Sequence, residues 1–173
     1  MKKIGLFYGP VSGSTERVAE MIWNHIGKDK CDILKVRDSG KAELAKYDSI
    51  IFGISTIGTE TWQSEKVKSG WFTFIHELTD FDMKGKKVAI FGLGDHIRYP
   101  EHFVDAMGDI YEILQSQGVD TIGKVDISGY QFKESKAVVG RQFVGLPIDE
   151  DFEPEKTATR VKDWINQILP KLI

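Results

Sequence analysis

Cysteine is almost missing from this chain: Cys31 is the only one in 173 residues, which excludes an internal disulfide and any multi-cysteine metal site. A reducing compartment is the simplest setting for such a sequence. No apolar stretch approaches membrane-spanning length, and a strand pattern begins within a few residues of Met1 in place of a signal peptide. The expectation is a cytoplasmic protein without membrane insertion. Basic stripes are missing too: 23 Lys and Arg against 26 Asp and Glu give a formal charge of −3, and nothing marks a nucleic-acid binder. There is no internal repeat and no low-complexity segment. The hydrophobic fraction of 41% and charged fraction of 28% are ordinary for a globular chain, and the length fits one domain, residues 1–173, able to bury its own core.

Two phosphate-binding patterns are also absent. No Lys follows the second glycine of the first loop, as a G-x-x-x-x-G-K-[ST] nucleotide loop needs to reach outer phosphates. There is no G-x-G-x-x-G, and no acidic residue ends a clear second strand as a dinucleotide fold requires.

What is present is Lys3 to Ile22, KIGLFYGPVSGSTERVAEMI: an apolar run, a glycine-bounded loop with three hydroxyls, and a helical pattern carrying Val18, Met21 and Ile22 on one face. A helix start leaves its first N–H groups unpaired and carries partial positive charge. Ser12, Ser14 and Thr15 add donors, while Gly9 and Gly13 let a ligand approach the backbone, so a phosphate monoester suits the loop. The plainer reading is that Ser12 or Ser14 caps the helix.

Farther on, Asp32 to Val36 is a short strand candidate, followed by a small helix near Lys41 to Lys46. Asp48 to Ile54 and Lys86 to Gly92 are apolar on both sides, as buried strands are. Helical spacing resumes over Trp71 to Leu78 and over Glu101 to Gln117, the latter with Phe103, Ala106, Ile110, Ile113 and Leu114 as its stripe. Thr121 to Ile127 and Phe143 to Leu146 read as two strand pieces, and Glu155 to Leu169 as a last helix with Pro154 at its first turn. The acidic run Asp149, Glu150, Asp151, Glu153 and Glu155 reads as a solvated loop before that helix. Such alternation predicts an α/β fold with a parallel sheet covered on both faces. Ligands of these sheets sit beyond the carboxyl ends of the strands, which brings Gly9 to Thr15, Ser55 to Thr59 and Gly92 to Tyr99 to one site.

FYGPVSGSTERVAEMI, IIFGIST, VAIFGLGDHIRYPEHFVDAMG, SGYQFKESKAV and QFVGLPIDED together resemble the flavodoxins, small FMN-binding electron carriers, over nearly the whole chain. The resemblance implies a flavodoxin-like three-layer sandwich with a five-stranded parallel sheet in the order 2-1-3-4-5. The segment Ser128 to Gln142, splitting the fifth strand, resembles the insertion of the long-chain type. By the same resemblance, Pro10, Val11, Ser12, Gly13, Ser14 and Thr15 hold the FMN phosphate through N–H groups and hydroxyls. Ser14 stands where Asn is common, and Arg17 is placed to add charge one turn on. Gly92, Leu93, Gly94 and Asp95 correspond to the loop against the isoalloxazine pyrimidine edge, and Tyr99 to the aromatic stacked on its outer face.

The chain departs from the pattern after its third strand. Ser55 and Thr56 are followed by Ile57 and Gly58 where many members have Thr-Trp, and Trp62 lies in a stretch about five residues longer than expected of the family. Either Ile57 packs on the inner flavin face, which alignment favours, or the longer loop folds Trp62 over it. Gly58 suits a peptide that flips on one-electron reduction, since glycine accepts both orientations. The implied activity is a low-potential carrier working between semiquinone and hydroquinone, not an enzyme, with a reductase or oxidoreductase as donor and an acceptor enzyme as partners, and itself a monomer.

The acidic rim of Glu60, Glu65, Asp95, Glu101 and Asp149 to Asp151 is interrupted by Lys66, Lys68 and Arg98. His96 and His102 are expected at the surface or as caps. The competing reading is an FMN-dependent NAD(P)H:quinone reductase, with the 55–70 segment as its substrate wall. A third is a flavin module without redox work.

Overall fold

The two doubly apolar runs become central strands because alternate residues face opposite layers. In the computed structural model, which describes residues 2–56 and 70–173, they are β3 (Ser49–Ser55) and β4 (Lys87–Leu93). Ile50, Phe52, Ile54, Val88 and Ile90 point into one core, whereas Ile51, Ala89, Phe91 and Leu93 point into the other. Around them lie β1 (Ile4–Gly9), α1 (Ser14–Ile26), β2 (Cys31–Lys35), α2 (Lys41–Leu44), α3 (Trp71–Asp80) and α4 (Asp105–Ser116). β5 (Thr121–Ile122), β6 (Val125–Asp126), β7 (Val138–Val139), β8 (Gln142–Phe143), β9 (Leu146–Ile148) and α5 (Pro154–Leu172) complete the chain.

The main sheet is parallel, in the expected order β2-β1-β3-β4-β5, and β9 also pairs with β4. The fifth position is therefore filled in two pieces: Thr121 lies beside Val88, and Leu146 beside Phe91. α1 and α5 cover one face through Val18, Ile22, Val161 and Ile168. α3 and α4 cover the other through Trp71, Phe74, Ile110 and Leu114.

Three expected elements differ. The strand piece expected over Phe143 to Leu146 is divided, Phe143 ending β8 in a small second sheet and Leu146 starting β9 in the main one. Thr121 to Ile127 is not one strand. Gly123 turns at φ +84°, with Trp164 Nε1 donating to its carbonyl at 2.8 Å, and β6 leaves to form a small antiparallel sheet, β6-β8-β7, with the insertion. The helix expected from Glu101 begins at Asp105. Residues 100–103 bond to the insertion instead: the Pro100 carbonyl accepts the N–H groups of Lys133 and Glu134, and Phe103 packs among Tyr130, Phe132 and Phe143. Tertiary pairing there outweighs the helical spacing. At the other end of the chain α5 runs past Leu169 to Leu172, whose side chain is buried.

Candidate functional site

The carboxyl ends of β1, β3, β4 and β9 converge on a cavity of about 190 Å³ lined by Pro10, Ser14, Thr15, Ser55, Thr56, Leu93, Gly94, Glu150 and Asp151. Seven of these were expected from the sequence. The turn carrying Glu150 and Asp151, expected as a solvated loop and as part of the acidic rim, supplies the other two. Its proximity is set by the Gly94 N–H, which donates to the Ile148 carbonyl at 3.0 Å, while the Thr56 N–H, donating to the Leu93 carbonyl at 2.8 Å, ties the end of β3 to that of β4.

No side chain caps α1, so the plainer reading of Ser12 and Ser14 fails. Ser14 Oγ accepts from Arg17 at 2.8 Å, and Gly13 fills the N-cap position in extended backbone. Thr15 is buried. Ser12 sits at φ +63°, a left-handed conformation rare outside glycine. Its N–H donates to Glu16 Oε2 at 2.7 Å, while the Tyr8 hydroxyl donates to Glu16 Oε1. The Tyr8 hydroxyl, then the Ser12 N–H, hold the Glu16 carboxyl below its usual range. A carboxylate thus already takes up a loop amide, and the uncapped, hydroxyl-bearing start suits a phosphate. Val11 belongs to the same loop but, like Ser12 and Gly13, does not line the cavity.

The loop after β4 is held by carboxylates. Asp95, expected as a ligand contact, is buried and turned back on its own loop: Oδ1 accepts the N–H groups of Ile97 at 3.0 Å and Arg98 at 2.7 Å, and Oδ2 pairs with Arg98 Nε. Gly92 lies inside β4, where a Cβ would meet Met107 Cγ at 2.3 Å. A Cβ on Gly94 would come within 2.9 Å of the Val104 nitrogen, so close packing demands both glycines. Tyr99 is exposed at 38%, free to present its ring to a ligand. Ile57, Gly58 and Trp62 lie outside the described residues, as do Glu60, Glu65, Lys66 and Lys68.

His96 corrects the expectation of a surface histidine. It is buried, with its ring Nδ1 against Asp149 Oδ2 and Nε2 3.5 Å from Glu153 Oε1. Asp149, placed by sequence in a solvated run, is only 1% exposed. Burial works to raise its carboxyl, but the N–H groups of His96 and Phe152, together with the His96 ring, hold it below the usual range. His102 does stay exposed, 3.0 Å from Asp105. Among the described residues no group of His, Cys, Asp and Glu has the arrangement of a metal site, and no helix is long and apolar enough to cross a membrane.

A doubly wound parallel sheet with an anion loop after its first strand and two further loops at the same edge defines a class of ligand-binding α/β proteins. The particular family follows from comparison with known proteins. The flavodoxin family model matches residues 6–164. The chain is 42% identical to a flavodoxin of Synechocystis over 173 residues, 99% of each chain. It is 40% identical to flavodoxin 1 of Escherichia coli over 169 residues, 97% of this chain and 93% of the relative. In structure it is similar to a Fusobacterium nucleatum flavodoxin bound to flavin mononucleotide, with a TM-score of 0.89, 26% identity and 100% of both chains covered. The chain belongs to the flavodoxin family.

Proposed function

We propose that this protein binds FMN noncovalently and carries single electrons between redox proteins, with no substrate chemistry of its own. The observation that carries this reading is the edge where the uncapped α1 start, Ser55–Thr56 and Leu93–Gly94 line one cavity. The loop Pro10 to Thr15 would hold the phosphate through N–H groups and hydroxyls, its helix dipole supplying the positive potential that its side chains lack. Ser55 and Thr56, with Gly92 to Asp95, would border the ring, and Tyr99 would cover its outer face. Ile57 and Gly58 complete the proposed set. When bound, the flavin supplies a ring that takes up and returns electrons.

Glu150 and Asp151 put negative charge at the cavity, which disfavours further negative charge there and favours a low potential. Arg98 offsets this little, because it is paired with Asp95 and lies 3.5 Å from Asp151. The donor is a reductase or oxidoreductase and the acceptor another redox enzyme. The carrier itself works as a cytoplasmic monomer. The names of its relatives favour the carrier over a quinone reductase.

Fluorescence titration of apoprotein into FMN tests the reading. One tight site is expected, with Ser14→Glu, which sets a carboxylate in the phosphate loop, binding at least tenfold more weakly. Equal binding of riboflavin and FMN would remove the phosphate from the account.

A further inference from the structure

We propose that Arg17 is a positioning residue that makes the site select a phosphorylated flavin: its guanidinium fixes the Ser14 oxygen, leaves the Ser14 hydroxyl hydrogen for the ligand, and adds positive charge there. This deepens the FMN reading above and rests on it.

Ser14 and Arg17, three residues apart, are neighbours on α1. Arg17 Nη2 donates to Ser14 Oγ at 2.8 Å, and Ser14 lines the cavity. A guanidinium only donates, so this bond takes up a lone pair of Ser14 and leaves its O–H without an acceptor among the described residues. The next residue points the same way. Thr15 is only 2% exposed and lines the same cavity, yet its hydroxyl has no hydrogen-bond partner among the described residues. Buried hydroxyls are rarely left so. The Ser14 and Thr15 N–H groups, at the helix start, have no intrahelical partner either. Two hydroxyls and two amides therefore call for acceptors within two residues of chain, and a phosphate offers three oxygens.

Charge decides how well that phosphate is held. A phosphate monoester brings about two negative charges, against roughly half a unit of positive charge at a helix start. The same cavity is lined by Glu150 and Asp151. Thr157 Oγ1 holds Glu150 at 2.8 Å, and Asp151 lies 3.5 Å from Arg98, which is already paired with Asp95. The helix dipole alone is outweighed. Arg17 supplies a full unit. Its neighbour Glu16 is engaged by the Tyr8 hydroxyl and the Ser12 N–H, and Arg17 makes no ion pair among the described residues. Its charge therefore acts on the ligand through a hydroxyl that it polarises. Riboflavin, which has no phosphate, gains nothing from this arrangement.

The test measures dissociation constants for FMN and for riboflavin, at low and high salt, on the wild-type apoprotein, Arg17→Gln, Arg17→Lys, Ser14→Ala and the variant carrying both Arg17→Gln and Ser14→Ala. Arg17→Gln is expected to weaken FMN binding about fivefold at low salt and less at high salt, and riboflavin binding by less than about twofold. Arg17→Lys, which keeps the charge, should recover most of that loss. The doubly substituted protein should fall short of the sum of the two single losses, because both remove one relay. Parallel weakening of FMN and riboflavin, unchanged FMN binding, or losses that simply add would each overturn the proposal. A wild type that binds neither ligand, or both equally, shows instead that the FMN reading itself fails, and the proposal falls with it.

Discussion

Glu16 accepts the backbone N–H of Ser12 at 2.7 Å, so the chain's own carboxylate takes up one donor of the loop proposed to receive the FMN phosphate. Two anions cannot share that amide without mutual repulsion. Glu16→Gln is expected to strengthen FMN binding by about fivefold at low salt and by less at high salt, as for a partly exposed charge pair. Fluorescence titration at two ionic strengths checks it. Weaker binding by the variant would show that the carboxylate instead shapes the loop.

The centre of the sheet makes a second demand. A Cβ on Gly53 of β3 would lie 2.1 Å from Phe91 Cζ, and both residues are buried between the helix layers. Gly53→Ala should cost about 3 kcal/mol of stability by overpacking, measured by urea unfolding. A loss near zero would mean that Phe91 moves aside freely.

Acid should unfold the protein partly through Asp149. Its carboxyl is depressed in the folded state, so its contribution is full above the unfolded value of about 3.9 and is lost as pH falls through the folded one. This carboxyl's contribution should be level above about pH 5 and decline below about pH 4. Asp149→Asn should lower stability by about 2 kcal/mol at neutral pH, because it removes the buried charge that the N–H groups of His96, Asp151 and Phe152 meet, and should flatten the acid decline. An unchanged acid limb would place the titration elsewhere.

Cys31 is buried at the start of β2, where burial, then the neighbouring Asp32 charge, push its thiol up to about 12. Thiolate is the reactive form, so labelling of the native protein near pH 8 should be negligible and should become complete in denaturant. Rapid native labelling would contradict that burial.

What sequence reasoning reached, and what it missed, divides by the range of the interactions. β3 and β4 were legible because a strand covered on both faces needs apolar residues at every position, and the first loop because local backbone chemistry defines it. The start of α4 was misplaced because Phe103 fits the helical stripe, yet its partners are Phe132 of the insertion and Phe143 just after it. Asp149 looked solvated because His96, its partner, lies 53 residues earlier. A charge run carries no mark of which member is buried. Tyr8 at the end of β1 and Glu16 in the first turn of α1, which flank the loop they brace, carried a local signal that hydroxyl counting passed over.

The central claim is tested most directly by stepwise anaerobic reduction of the FMN-loaded protein, followed by visible absorbance, with NADPH alone as a parallel sample. The account predicts that a one-electron-reduced flavin accumulates before full reduction and that NADPH alone leaves the spectrum unchanged. Rapid two-electron bleaching by NADPH without any partner protein would contradict it and identify an enzyme.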